Sequence, residues 1–266
     1  MTNHNDLNSK LIILVSLNGF SFYSTSVGAT NAYVLKSISF SDSLRTEKME
    51  NLLGDVFNKN NELTLKYDEV VVLHHNNLAT FVPTELFDED FLASYLQYTT
   101  KVFETDFIAF DSLQQHQMNA VYIPYVNMNN FFIDYFGTFS YHHASTILVN
   151  AVLAIAPINE HKNMYVHVSD HNFEIIIVQN QKLLLYNSFD YNTPEDFIYY
   201  ILFTAEQLQL DPNNFQLTLL GLINPSDSLY QICYKYIRNV AFLNNTTISN
   251  KGTEIENRHH FILLNA

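Results

Sequence analysis

The fold is predicted from residues 164–186, which read MYVHVSDHNFEIIIVQNQKLLLY. This stretch contains three runs of apolar and β-branched residues, at 165–168, 173–178 and 183–186, and short polar segments separate the runs. Short apolar runs bounded by polar residues are typical of β-strands joined by turns. The stretch therefore predicts a three-stranded meander.

A helix, a strand and a second helix are predicted after the meander. Thr193 is a favoured N-cap residue, Pro194 suits the first helical position, and apolar residues then recur at helical spacing over about four turns. A strand is predicted at 215–220 and ends at Gly221, and the second helix is predicted from about 226 to 238. The order is three strands, helix, strand, helix.

The first part of the chain repeats this order. Strands are predicted at 11–15, 20–24, 33–38 and 69–73, with a helix around 49–57 before the last of them. Residues 15–20 and 168–173 share a Val-Ser-x-x-[Gly/Asn]-Phe pattern, and the two serines are 169 − 16 = 153 residues apart. The chain is therefore predicted to be internally duplicated.

The duplication predicts two lobes, at 1–156 and 157–266. Additional material lies between the repeated elements and is assigned to the first lobe. It comprises a strand at 79–82 and helices at 83–98 and 141–156. We expect an insertion followed by a bridging helix.

Composition restricts the partners. Thirteen Lys and Arg against 27 Asp and Glu give a net charge of 13 − 27 = −14, and no cluster of basic residues is present. Because nucleic-acid surfaces are bound by clustered Lys and Arg, a nucleic-acid partner is not expected. The apolar runs are too short to span a membrane, and the single Cys233 allows no intrachain disulfide. We expect a cytoplasmic protein with no membrane partner and a buried, inert thiol.

Four stretches carry a resemblance to a known family: FVPTELF at 81–87, LYNSF at 185–189, EDFIYY at 195–200 and HFILL at 260–264. They resemble a bacterial family of unknown function in the superfamily of actin, sugar kinases and chaperones. The resemblance implies an α/β (α+β) fold with actin-like ATPase architecture. Each half would be a ribonuclease-H-like domain, a mixed sheet flanked by helices. The resemblance implies no reaction.

An ATPase of this superfamily needs two Gly-rich turns that carry Asp, because backbone amides approach the phosphates and a carboxylate positions hydrated Mg²⁺. The nucleotide-binding candidates at the corresponding positions are Asn18, Gly19, Asp170, Asn172 and Gly221. The first turn has no carboxylate, and the second has no glycine. Asn18-Gly19 is also typical of a type I′ hairpin turn, Asp170 of a solvated turn residue, and Gly221 of a strand end.

The other constellations are predicted to form no catalytic or metal site. The adjacent pairs His74-His75, His142-His143 and His259-His260 point in different directions on a strand or helix, and His167 and His171 are separated by a turn. His142 and His143 with Ser145 lack a nucleophile elbow, so they are interpreted as a helix start. The acidic run 88–90 is interpreted as a solvated helix face, with docking of a basic partner as the alternative.

Two functions remain open. The first is a catalytically degenerate actin-like protein, a pseudoenzyme that binds another protein and needs no cofactor. The alternative is a divergent nucleotide-binding protein, ATPase or kinase that uses Mg-ATP between its lobes. The missing carboxylate and glycine favour the first.

Overall fold

The structure is a computed structural model that describes residues 9–25, 33–40, 48–244 and 253–266. The chain divides into two compact units, one of residues 1–147 with Ala266 and one of residues 148–265. The division falls within a helix, α4 (Ala144–Ile155), whereas the sequence suggested a boundary after this helix. Met1 to Asn8 lie outside the described residues.

Unit 1 is built on a five-stranded sheet of order β3-β2-β1-β4-β8. Its strands are β1 (Lys10–Val15), β2 (Gly19–Thr25), β3 (Tyr33–Ser39), β4 (Glu69–His74) and β8 (Ser140–His143). The first three form the predicted antiparallel meander, and β4 and β8 join parallel to β1. The parallel strands require crossover connections, which helices supply.

Helices α1 (Met49–Lys59) and α3 (Val126–Phe136) cover this sheet. Leu53 and Phe57 of α1 and Phe132 of α3 are fully buried with the inward residues of β1 and β2. The Phe57 ring lies 5.2 Å from Phe131 and 6.3 Å from Phe132, centroid to centroid. This aromatic packing joins the two helices over the sheet.

An insertion lies between β4 and α3. Its three-stranded antiparallel sheet has the order β5-β7-β6, with β5 (Ala79–Pro83), β6 (Ala109–Leu113) and β7 (Met118–Tyr122). The helix predicted at 83–98 is wrong. Two 3₁₀ turns, Thr84–Leu86 and Glu89–Phe91, and the short α2 (Leu92–Leu96) replace it. Phe87 has an extended backbone and ends the first 3₁₀ turn. The Asp88 side chain accepts a hydrogen bond from Asp90 N–H and caps the start of the second 3₁₀ turn.

Unit 2 repeats the architecture with the sheet order β11-β10-β9-β12-β13. Its strands are β9 (Asn163–Val168), β10 (Asn172–Gln179), β11 (Lys182–Asp190), β12 (Gln216–Gly221) and β13 (Asn239–Phe242). The first three are antiparallel, and β12 and β13 join parallel to β9. Both units thus have the same strand order and directions, which confirms the duplicated ribonuclease-H-like fold predicted from the sequence.

Helices α5 (Pro194–Gln207) and α6 (Ser228–Tyr236) pack on this sheet, and α7 (Glu254–His259) and α8 (Phe261–Leu264) follow. Thr193 is the N-cap of α5, as predicted, and forms a capping box with Asp196. Cys233 is fully buried in the core of unit 2, and burial raises the pKa of its thiol to about 12. The thiol is therefore protonated and unreactive at neutral pH.

Two local predictions need correction. The region predicted as a helix at 141–156 begins with β8, which pairs with β4, and the helix starts only at Ala144. Neither Asn18 nor Gly19 has a positive φ, so their turn is not type I′. The positive-φ pair in a hairpin is Asn180 and Gln181, at φ 50° and 55°, between β10 and β11. The sequence analysis correctly predicted a turn between these two strands.

Candidate functional site

The β1–β2 turn contains the first two candidate residues, Asn18 and Gly19. Ser16 N–H donates to the Gly19 carbonyl at 3.0 Å, and Phe40 N–H donates to the Asn18 carbonyl at 2.8 Å. A Cβ on Gly19 would lie 3.0 Å from the carbonyl oxygen of Ile38. The glycine therefore permits close packing of β2 against the end of β3, and the turn is held by its own backbone.

The β9–β10 turn contains Asp170 and Asn172. Ser169 N–H donates to the Asn172 carbonyl at 2.9 Å, the same bond as in the first turn. Tyr191 Oη donates to the carbonyls of Ser169 at 2.9 Å and Asp170 at 3.2 Å. Burial raises the pKa of Tyr191, so this hydroxyl remains a donor at neutral pH. The Asp170 side chain is exposed at the tip of the turn.

Superposing the two repeats by their strand pairing places Leu17 where unit 2 has Asp170. Val15 pairs with Phe20 across the first turn, and Val168 pairs with Phe173 across the second. Leu17 is 59% exposed, so an apolar side chain occupies the tip of the first turn. This turn offers no carboxylate that could position a hydrated cation.

Gly221, the fifth candidate, ends β12 at φ +84°. A Cβ at this position would lie 2.2 Å from the Val168 carbonyl oxygen, and Leu222 N–H donates to the same oxygen at 2.7 Å. The glycine is thus required by the close approach of β12 to the end of β9. This observation explains Gly221 without a ligand.

The equivalent strand end in unit 1 carries His74, and His75 N–H donates to the Val15 carbonyl at 2.9 Å. The His74 ring is fully buried. Its Nδ1 accepts from Tyr125 N–H at 3.3 Å, so Nε2 carries the proton and donates to Asn129 Oδ1 at 2.9 Å. Burial lowers the pKa of His74 to about 4, and the ring is neutral at pH 7. His74 joins β4 to the start of α3.

A buried carboxylate, Asp111 on β6, was missed by the sequence analysis. Its Oδ1 accepts from Tyr122 Oη at 3.2 Å and from His142 Nδ1 at 2.9 Å. Its Oδ2 accepts from His143 N–H at 2.9 Å and from Thr146 Oγ1 at 2.6 Å. Four donors from the inserted sheet, the end of β8 and the first turn of α4 therefore meet on one side chain. No pattern along the sequence connects these residues, because they are brought together by the pairing of distant strands.

The Asp111–His142 pair resembles part of a general-base arrangement. The hydrogen bond to Asp111 raises the pKa of His142, and the imidazole is 42% exposed. A nucleophile would have to lie within hydrogen-bond reach of this ring. The nearby Ser145 is fully buried, and its Oγ instead bonds to Nδ1 of His143 at 2.6 Å. The network fits a structural joint between the insertion and α4.

His167 was considered together with His171, but its neighbour is Glu174. The two side chains are directly opposite each other on β9 and β10, and His167 Nδ1 lies 2.9 Å from Glu174 Oε2. Both side chains are buried. The strand register makes this pair, so the spacing of the histidines along the chain did not reveal it.

Residues 1–240 match the model of a family described as protein of unknown function, DUF3822. The chain belongs to this family. No curated protein matches the chain. Among the described residues, no helix is long and apolar enough to cross a membrane.

Solved structures similar to this family member share its fold. A Bacteroides thetaiotaomicron protein with actin-like ATPase fold and unknown function matches with a TM-score of 0.80 at 21% identity, covering 94% of this chain and 98% of that chain. The PilM-PilN type IV pilus biogenesis complex matches with a TM-score of 0.58 at 12% identity, and the match covers 96% of this chain and 96% of that chain. The ethanolamine utilization protein EutJ from Carboxydothermus hydrogenoformans matches with a TM-score of 0.51 at 8% identity, and the match covers 99% of this chain and 92% of that chain. The chain therefore has an actin-like ATPase fold.

Proposed function

We propose that this protein uses its actin-like fold as a protein-interaction module without nucleotide chemistry. The observation that carries the proposal is the tip of the first turn, where the exposed Leu17 stands in place of a carboxylate. The residues of this turn do not fit a hydrated Mg²⁺ ion, because none of their side chains supplies an anionic oxygen ligand.

The glycines at the candidate positions support the same conclusion. Gly19 accommodates the Ile38 carbonyl, and Gly221 accommodates the Val168 carbonyl. Both are needed for packing inside their own units, and the second turn has no glycine that would let its backbone approach a phosphate. Asp170 alone keeps the residue type of a cation-binding turn.

Binding of another protein is a role that this fold supports elsewhere. The similar PilM is found in a complex with PilN. For the present chain, the role needs an exposed surface with apolar anchors, because such residues contribute most of the energy of protein interfaces. The described residues include exposed large side chains such as Tyr98, Phe91 and Leu86.

Thermal unfolding with and without millimolar Mg-ATP or Mg-ADP tests the proposal. A ligand at 100 times its dissociation constant would stabilise the native state by about 2.7 kcal/mol, which is about 5 to 10 °C for a chain of this size. We expect no shift in the wild type or in Asp170→Ala. A shift of that size that is lost in Asp170→Ala and kept in Asp134→Ala, a control at another exposed aspartate, would overturn the proposal in favour of nucleotide binding.

A further inference from the structure

One surface of unit 1 combines exposed apolar side chains with carboxylates. We define the acidic–apolar surface as the outward side of residues 84–108, the segment between β5 and β6. The inward side chains of this segment, including Leu96 and Tyr95, pack with Val82 and Val121 of the inserted sheet. The outward side chains are those that do not take part in this small core.

The apolar members of this surface are large and well exposed. They are Leu86 at 70%, Phe91 at 58%, Tyr98 at 87%, Phe103 at 55% and Phe107 at 54% of full exposure. Single exposed apolar residues are ordinary on protein surfaces, but exposed apolar patches are typical of interaction sites, and this short segment exposes five large apolar side chains. Aromatic side chains are also the residues that most often anchor protein interfaces.

The charged members of the surface are almost all acidic. The segment contains Glu85, Asp88, Glu89, Asp90, Glu104 and Asp106, against a single base, Lys101. Within residues 84–108, all of which the structure describes, no carboxylate forms an ion pair, and Lys101 lies over the Phe103 ring at 4.9 Å. Among the residues that the structure describes, no basic side chain therefore forms an ion pair that neutralises the negative charge of this surface.

Hydrogen bonds and ring contacts connect residues of the segment to one another and to β6. Tyr95 Oη donates to the Leu86 carbonyl at 2.7 Å and accepts from Asp88 N–H at 2.8 Å. The Phe87 ring stacks on the Tyr95 ring with 6.0 Å between their centroids, and its centroid lies 4.8 Å from that of the Phe110 ring on β6. Asp106 Oδ2 accepts from Phe103 N–H at 2.8 Å. A surface that is already ordered loses little conformational entropy when it binds.

We propose that the acidic–apolar surface binds a basic amphipathic segment of another protein, in which Lys and Arg accompany large apolar side chains. The apolar side chains of the partner would contact the exposed aromatic residues, and its cations would face the unpaired carboxylates. A second copy of this chain is disfavoured as the occupant, since two such surfaces would bring like charges together. This inference rests on the proposed interaction function and names the partner chemistry.

The test measures binding of a fluorescent amphipathic Lys/Leu helical peptide of about five turns to the full chain by anisotropy. Measurements at about 0.15 M salt limit the contribution of charges more than about 8 Å from the peptide. A peptide of the same composition with its amphipathic spacing scrambled is the ligand control. We expect micromolar binding of the amphipathic peptide, and binding at least about tenfold weaker for the scrambled one.

Matched charge reversals locate the site. Glu89→Lys/Asp90→Lys changes the acidic–apolar surface, and Glu160→Lys/Glu206→Lys changes the net charge equally at exposed residues of unit 2. We expect the first pair to weaken binding at least about tenfold and the second less than about threefold. Equal weakening by both pairs, or no binding of the amphipathic peptide, would overturn the proposal.

Tyr98→Ala provides a second variant at a position where folding is little affected, with Tyr234→Ala, also exposed, as its control. We expect Tyr98→Ala to bind the amphipathic peptide more weakly than the wild type, and Tyr234→Ala to bind it as the wild type does. Equal affinities of the two variants for the peptide would contradict the proposal. The Mg-ATP experiment is read separately. A nucleotide-induced shift refutes the proposed function, whereas peptide binding that ignores the surface variants refutes only this assignment.

Discussion

Two glycines show how the same residue type serves opposite purposes. Gly221 has a positive φ, and an added Cβ would lie 2.2 Å from the Val168 carbonyl oxygen. Gly54, in the interior of α1, has no atom within 4 Å of an added Cβ. Alanine is therefore strained at the first position and favoured by helix propensity at the second.

We predict that Gly221→Ala lowers the stability of the native state by about 2 kcal/mol or more, because strain and overlap with Val168 add together. Gly54→Ala should raise it by up to about 1 kcal/mol. Thermal unfolding of both variants beside the wild type checks the pair. Full stability of Gly221→Ala would show that the glycine is not required for packing and would return it to the list of ligand-binding candidates.

At the scale of elements, His74 joins the end of β4 to the first turn of α3 through Tyr125 N–H and Asn129. Its pKa in the folded protein is about 4, below the ordinary value of 6.5. Below pH 6.5 the unfolded chain therefore binds a proton at this residue, whereas the folded chain does not bind it until about pH 4. The contribution of His74 to stability falls as the pH falls through this window.

We predict that this residue alone lowers the free energy of unfolding by about 2 kcal/mol between pH 7 and pH 5. Urea unfolding at both pH values, for the wild type and His74→Gln, measures the effect. Glutamine does not titrate, so the loss between the two pH values should be smaller in the variant by about that amount. The same loss in both proteins would contradict the assignment of a neutral, buried His74.

The contrast between α5 and residues 83–98 shows what element-scale patterns can predict. In α5, Thr193, Pro194 and Asp196 all act within the first turn, and the helix begins where the pattern places it. In residues 83–98, the apolar spacing also suits a helix, but Tyr95 Oη bridges Leu86 and Asp88 and fixes a bent chain against the inserted sheet. Tertiary contacts override local propensity in the second case.

At the scale of the whole molecule, a net charge of −14 opposes compaction, because 27 acidic residues share the chain with 13 basic ones. Raising NaCl from about 0.01 M to about 0.15 M shortens the screening length from about 30 Å to about 8 Å. We predict that the melting temperature rises by about 2 °C or more, a stabilisation of about 1 kcal/mol. Differential scanning calorimetry checks the shift.

Choline chloride at the same ionic strength should give an equal rise, since screening depends on ionic strength and not on the cation. A melting temperature that stays constant or falls in both salts would show that self-repulsion does not limit stability. A rise with sodium alone would instead indicate a specific cation site.

The sequence by itself determined the repeated meander and many of the helices and strands that follow it, and the resemblance of four stretches to a known family implied the actin-like fold. These features depend on hydrophobic period, caps and turns, which are local properties of the chain. It also predicted a degenerate nucleotide site, because the first turn lacks a carboxylate and the second lacks a glycine.

Only the tertiary structure decided which side chains meet. Asp111 receives four hydrogen bonds from residues up to 35 positions away, and His74 is bonded to Asn129, 55 positions away. It also separated the buried from the exposed aromatic residues of 84–108 and so revealed the acidic–apolar surface. Strand register and packing set these contacts. They join residues that are distant along the chain, so composition and local spacing do not predict them.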